Sequence, residues 1–364
     1  MLRNMSKNSY NPDFVSAPGE TLVETIEQLG ISQSELARRI GRPVKTINEI
    51  AQGKAAITPE TALQLERALG ISAEFWNARE AHYRASLATQ AETHRLSTQL
   101  AWLKQVPVRA MIKLGWINDE ENKIDVLRNV LNFFGIAAIE QFDNVFLQPQ
   151  VRFRKANSFE SDQVALAAWL RKGEIEAQSI VCASYTEDHF RLVLQSVREL
   201  TRLNDFNEAI ETLQECCAEA GVAVVIVPEL PGARVSGATR WLSPHRAIIQ
   251  LSFRYKRDDQ FWFSFFHEAG HILLHGKRDV FIEGTEHKGP EEEEANQFAE
   301  DQLLPRNVYT SWIETTDYAY PYHGIEKFAK AQGISASIVA GRLQHDGKLQ
   351  QSAANQFRRV IEIT

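Results

Sequence analysis

The spacing of apolar positions changes twice along the chain, and the changes divide it. From Ala17 to Tyr83 apolar residues recur every three or four positions in short stretches closed by glycine. Leu22, Ile26 and Leu29 mark a first helix that stops at Gly30. Ser32 and Glu35 are the two ends of a capping box that opens SELARRI, which stops at Gly41. Val44 to Ala51 follows after a short turn, Thr58-Pro59 opens ETALQLERAL, and Ser72 opens a longer helix through Phe75, Trp76 and Tyr83. Amphipathic runs from Glu92 to about Ala220, such as VLRNVLNFFGI, VALAAWLRKGEIEA and FRLVLQSVREL, predict further helices without a repeat or a catalytic cluster. After Gly221 the period shortens to that of strands in AVVIVPEL, ARVSGATRWL and HRAIIQLS, with Pro231-Gly232 and Ser243-Pro244 as turns. Helical spacing then returns in Phe261 to His275, in Glu291 to Leu304 and from Ile325.

Candidate chemistry sits in FWFSFFHEAGHILLH. His267 and His271 are four apart and project from one helix face, the spacing at which two imidazoles hold one Zn²⁺. Glu268 lies where H-E-x-x-H places a general base beside metal-activated water. The pair Ala269-Gly270 leaves backbone room, and the surrounding Phe, Trp, Ile and Leu require a helix buried on nearly every side. The metzincin pattern would need Gly at 274 and His at 277; Leu274 and Lys277 exclude it. His275 shares the face of His271 but continues past the metal, so the third ligand is sought on the next helix. There Glu292, Asn296 and Ala299 share a face. A carboxylate from this helix would complete a two-histidine, one-glutamate site with an open fourth position, one of the four in EEEE serving as ligand and the other three lying solvated. An oxyanion donor is sought among Tyr309, His323 and His345.

In the N-terminal part, two short helices around a glycine turn inside a five-helix bundle have the form of a helix-turn-helix. Arg38, Arg39, Arg42, Lys45 and Lys54 fall within seventeen residues against Glu49, a basic face that can reach phosphates. Lys45, Thr46 and Asn48 open the second helix, the part that meets base edges.

Two resemblances rest on these residues. HEAGHILLH followed by E-x-x-A-N-x-F-A-x-x-x-L-L-P resembles the ImmA/IrrE family of small cytoplasmic zinc metallopeptidases, from about Gly221 onward. The resemblance implies His267, His271 and Glu292 as zinc ligands, with Glu294 or else His275 as the fallback for the third, and Glu268 as the catalytic glutamate. PGETLVETIEQLGISQSELARRIGRPVKTINEIAQGKAAITPETALQLERALGISAEFW is similar to the DNA-binding domain of HigA-type antitoxins of the XRE class. That similarity implies a homodimer bound to double-stranded operator DNA. The expected fold is therefore α+β and mainly α. A flexible tail covers 1–17, a five-helix helix-turn-helix domain 18–95, a helical linker or sensing region 96–220, and a small gluzincin-like metallopeptidase domain with a short sheet 221–364.

Composition constrains the rest. A net charge of −7 over 364 residues argues against bulk nucleic-acid affinity, so any DNA contact is local. No apolar run reaches the ~18 residues of a membrane span, and the polar start MLRNMSKNSYNPDF has no signal-peptide core. Cys182, Cys216 and Cys217 lack ligand spacing, and adjacent cysteines make a poor disulfide, which fits a reducing cytoplasm. The function expected is a DNA-binding regulator with a zinc endopeptidase that cuts a repressor or partner protein, or itself. The competing expectation is a HigA-like repressor whose metal domain only senses or binds a partner.

Overall fold

The computed structural model describes residues 15–147, 163–276, 281–283, 289–315, 323–350, 352, 355–359 and 361. Most of the expected tail, the loop LQPQVRFRKANSFESD after its first residue, and His287 lie outside them. The chain forms two compact units divided after Leu100. Among the described residues no helix is long and apolar enough to cross a membrane, and the three cysteines are free.

The first unit contains the five expected helices: α1 (Pro18–Gln28), α2 (Gln33–Ile40), α3 (Val44–Ala51), α4 (Pro59–Leu69) and α5 (Ala73–Thr98). The caps legible in the sequence are made. The Ser32 hydroxyl accepts from the Glu35 amide at 3.1 Å, that of Thr58 from Thr61 at 3.2 Å and that of Ser72 from Phe75 at 3.2 Å. Each satisfies an amide that the first helical turn would leave orphaned. The one-sided stripes converge on Leu22, Leu36, Ile47, Ile50, Leu65 and Trp76. The bundle therefore fixes α2 against α3 while leaving their polar faces outside.

The second unit is built on a four-stranded sheet of β1 (Val222–Ile226), β2 (Gly237–Ser243), β3 (Arg246–Leu251) and β4 (Phe281–Glu283), in the order β1-β3-β2-β4. β1 runs parallel to β3, and the other pairs are antiparallel. Both faces are covered. Val222, Val224, Ala247 and Ile249 face a core shared with α9 (Glu187–Leu200), α10 (Phe206–Glu219) and α11 (Asp258–Leu274). That core continues into α12 (Pro290–Leu303), α13 (Arg306–Thr315), α14 (His323–Gln332) and α15 (Ala336–His345). Ala223, Val225 and Ile248 face the other way, onto α6 (Val108–Lys113), α7 (Lys123–Phe134) and α8 (Gln163–Ser179). Burial on two faces is why β1 reads as a continuous apolar run and not as an alternation.

This arrangement differs from the expected division at residue 220. Helices α8 and α10 pack directly on β1, and residues 101–364 form one unit. The Trp169 indole donates to the Val227 carbonyl at 3.0 Å, and the Gln250 amide donates to the Trp169 carbonyl at 2.6 Å. Helices α6, α7 and α8 thus supply the second cover of the sheet, and α9 and α10 join α11 on the first. They look featureless in sequence because covering a sheet needs only apolar helical stripes.

Candidate metal centre and nucleic-acid interface

Helix α11 buries Phe261, Trp262, Phe265, Phe266, Ala269 and Ile272, so its polar residues are held inside the protein as well. Its first turn is pinned by Asp258, which accepts from the Ser337 hydroxyl of α15 at 2.6 Å and from the Arg359 amide at 3.2 Å. At Gly270 a Cβ would lie 3.2 Å from the Ala295 Cα and 3.2 Å from the Phe298 ring. A residue without a side chain there lets α12 come close enough for Glu292, one turn before Ala295, to reach the histidines.

The result is a compact triangle. His267 Nε2 and His271 Nε2 are 3.0 Å apart, and the Glu292 carboxylate lies 3.2 Å from the first and 3.5 Å from the second. A tetrahedral ion with ligand bonds of roughly 2.0–2.1 Å needs donor separations of about 3.3 Å. The three observed edges bracket that value, and His267, His271 and Glu292 form a group able to hold a metal ion.

The remaining ring nitrogens are engaged in ways that turn both Nε2 atoms inward. His267 Nδ1 lies 3.0 Å from Asn296 Oδ1, whose carbonyl oxygen can only accept. In the neutral ring the proton is then on Nδ1 and the lone pair on Nε2. His271 Nδ1 meets His275 Nδ1 at 2.9 Å, and His275 Nε2 meets Glu294 at 3.3 Å. Phe281 of β4 stacks on the His271 ring with centroids 4.1 Å apart and planes within 10°.

Without a cation the triangle is electrostatically uneven. Burial works against a charged His267, but the Glu292 hydrogen bond and the charges of Glu268, Glu283 and Glu292 prevail and push it up to about 9. Burial, with His267 and His275 adding to it, pulls His271 down to about 2. One imidazole thus takes the positive charge that the carboxylates demand, and the other stays neutral. Glu268 is fully buried. Burial holds its carboxyl well above the ordinary range, and His267 pulls partly the other way. Neither of its carboxylate oxygens has a hydrogen-bond partner among the described residues. The neighbouring Thr239 hydroxyl donates to the Glu268 main-chain carbonyl at 3.1 Å and favours the charged form of the side chain. A buried carboxylate with free lone pairs beside three convergent donors suits proton transfer to and from a small molecule such as water.

The structure brings His267, Glu268, His271 and Glu292 together. Glu294, the fallback ligand, turns to His275, which pairs with His271 and does not join the triangle. Tyr309 is buried with its ring under Arg342, its hydroxyl bonded to Asp346. His345 is exposed beside the same Asp346. His323 begins α14, and its side chain lies outside the described residues. Sequence reasoning did not single out Glu283, Gly237, Thr239 or Phe281. They lie on strands, where the motif's helical spacing carries no signal, and β4 is only three residues long.

In the first unit Lys45 and Asn48 are exposed on α3, with Thr46 half-buried. The basic residues are more heavily paired than their spacing suggests. Arg38 and Arg39 both reach Glu35, Arg42 reaches Glu60 at 3.0 Å, and Lys45 lies 3.8 Å from Glu49. Arg38, Arg39 and Lys45 are exposed, in pairs that are worth little in water, whereas Arg42 is half-buried against Glu60 and Gln64. Their guanidinium and ammonium groups are thereby held on the α2–α3 face.

Residues 23–76 match the model of the family described as helix-turn-helix, and residues 217–344 match that of the IrrE N-terminal-like domain. The uncharacterized HTH-type transcriptional regulator YddM of Escherichia coli is 36% identical over 59 residues, 16% of this chain and 63% of that protein's length. Virulence-associated protein A of Dichelobacter nodosus is 39% identical over 71 residues, 19% of this chain and 70% of that protein. A solved structure of the Pseudomonas aeruginosa antitoxin HigA with its higBA promoter is 29% identical, with a TM-score of 0.22, over 22% of this chain and 90% of that one.

Proposed function

Because the chain belongs to the helix-turn-helix family over residues 23–76 and to the IrrE N-terminal-like family over residues 217–344, we propose that it is a transcriptional regulator carrying a zinc-dependent endopeptidase. In this reading it binds operator DNA as a homodimer and cuts a repressor or partner protein. The observation that carries the enzymatic part is the triangle of His267, His271 and Glu292 with the buried, unpartnered Glu268 against it. His267, His271 and Glu292 would hold Zn²⁺, the ion that matches their two imidazoles and one carboxylate. When bound, the zinc supplies a Lewis acid for a peptide carbonyl and lowers the pKa of a water molecule towards ~7. Glu268 takes the proton of the attacking water and passes it to the leaving amine. Asn296 and His275 fix the ring orientations of the two histidines.

The test compares cells expressing the full-length protein with cells expressing its Glu268→Gln variant, by mass spectrometry of new peptide termini. A protein cut only with the wild-type chain is the expected result. Identical proteomes under every stress applied would leave a metal sensor and refute the peptidase.

His275→Ala should lower zinc affinity by roughly 10–100-fold, the cost of losing the hydrogen bond that orients a ligating histidine. Competition against a fluorescent zinc chelator measures it, and an unchanged affinity would assign the pair no orienting role.

The DNA-binding part is supported by the exposed cations on the α2–α3 face. Affinity of the full chain for DNA upstream of its own gene should fall steeply with salt, and Lys45→Ala should reduce the salt slope by about 1. Asn48→Ala should cost roughly 1–3 kcal/mol of discrimination at one base pair. Fluorescence anisotropy at several salt concentrations checks both, and a salt-independent affinity would count against the interface.

A further inference from the structure

A pocket opens where β2 begins, β3 ends and α11 begins. Two of its lining residues join it to the reaction site. Ser236 precedes Gly237, which packs on the Glu268 side chain, and Ser264 lies one turn before Glu268 on α11.

The charge around the pocket is one-sided. Arg254, Lys256 and Arg257 border it. Arg257 is matched by Asp259, which accepts from its Nε at 3.0 Å. Arg254 donates to the Arg234 carbonyl, stands 3.9 Å from Glu229 and acts on the charge of Glu283. Lys256 is exposed and pairs with no carboxylate among the described residues. It is also held in place. Its φ of 49° is left-handed, its amide donates to the Phe253 carbonyl at 3.1 Å, and its carbonyl accepts from the Ile361 amide at 3.1 Å. Such a backbone persists in a residue with a long side chain only where the surroundings over-determine it.

The polar lining divides into committed and free groups. The Ser264 hydroxyl bonds Glu283, and that of Ser252 donates to the Val235 carbonyl. Ser236 is only 5% exposed, yet its hydroxyl makes no hydrogen bond among the described residues, and neither does the Gln260 side chain. A hydroxyl and an amide that can donate, beside a free ammonium, suit an acceptor with negative charge. The rest of the wall is apolar, from Phe253, Phe261 and Ile361, and suits a hydrocarbon stem. We propose that this pocket takes the carboxylate side chain of a glutamate or aspartate in the protein that is cut, with Lys256, Gln260 and Ser236 as its donors. The centre thereby selects substrates with an acidic residue near the scissile bond. This rests on the peptidase reading above.

The experiment uses the zinc-loaded full chain carrying Glu268→Gln, so that peptides bind without being cut. The probes are alanine pentapeptides blocked at both ends, one with a central glutamate and one with a central glutamine, and acetate alone. Calorimetry should show the glutamate peptide binding at least about tenfold tighter than the glutamine peptide. Adding Lys256→Gln should abolish the difference with zinc content unchanged. A preference that survives Lys256→Gln would put the carboxylate on the zinc and overturn the assignment. Acetate bound through Lys256 as tightly as the glutamate peptide would make the ligand a free anion, and would overturn it too. Equal binding of the two peptides would do the same and leave the peptidase reading standing. The comparison of peptides with Lys256 intact decides even if the double variant misfolds. If neither peptide binds the zinc-loaded chain, the peptidase reading falls and takes this inference with it.

Discussion

His267→Ala, His271→Ala and Glu292→Ala should each strip the protein of zinc, whereas Glu268→Gln should keep the metal and lose hydrolysis. Each of the first three removes one corner of a triangle whose edges are 3.0, 3.2 and 3.5 Å. Two remaining ligands cannot hold the ion against a chelator, so the loss should exceed the roughly 10–100-fold that an outer hydrogen-bond partner is worth. Glu268 stands outside the triangle with both oxygens unpartnered. Its amide replacement keeps volume and removes only the proton acceptor, so cleavage should fall by about 10²–10⁴-fold. Elemental analysis after dialysis, beside cleavage of a partner protein, separates the two classes. Stoichiometric zinc in Glu292→Ala would transfer the third ligand to Glu294 or His275. Full cleavage by Glu268→Gln would move the base elsewhere.

The parts of this molecule that were legible in the sequence are those whose signal is local. Ser32, Thr58 and Ser72 announce their helices because a cap acts on amides two or three residues away. The histidine pair announces itself because four residues of helix return a side chain to the same face. Asn296 was readable by the same rule, as a residue one turn beyond Glu292. The spacing of His275 places it on the right face, where the sequence suggests only a ligand. The structure uses it as a partner for His271, a role that depends on the helix ending at Leu274. The cover over the second sheet face was not legible, since apolar stripes do not say which surface they meet. The basic cluster has more counter-charges than its stretch of sequence contains. Glu35 and Glu60 lie outside the seventeen-residue window in sequence but return to it in the bundle. Gly237 and Glu283 gave no signal, because their importance is a cross-strand register that spans forty-six positions.

Gly237→Ala should disable the centre without emptying it. A Cβ at this position would sit 2.6 Å from Glu268 Oε1 and 2.8 Å from its Cγ, distances that real Cβ atoms do not show. The strand cannot move aside, because Gly237 is paired with Leu251 of β3 on one side and Glu283 of β4 on the other. The helix cannot retreat either, since Phe265, Phe266 and Ala269 bury its flanks and Asp258 ties its start to α15. The Glu268 side chain must therefore leave its place. A displacement of about 1 Å in a catalytic group can cost on the order of 10²-fold in rate, and overpacking a filled interior destabilises by about 1–3 kcal/mol. Zinc should stay, because His267, His271 and Glu292 are not the atoms struck. The adjacent Ala238 faces the opposite core, so Ala238→Gly supplies the control: a loss of about 0.5–1 kcal/mol from glycine inside a strand, with cleavage unaffected. Thermal unfolding, zinc content and cleavage rate measured on both variants decide the matter. A Gly237→Ala protein that binds zinc and cuts at the parental rate would mean that Glu268, as placed here, is not the group that moves the proton.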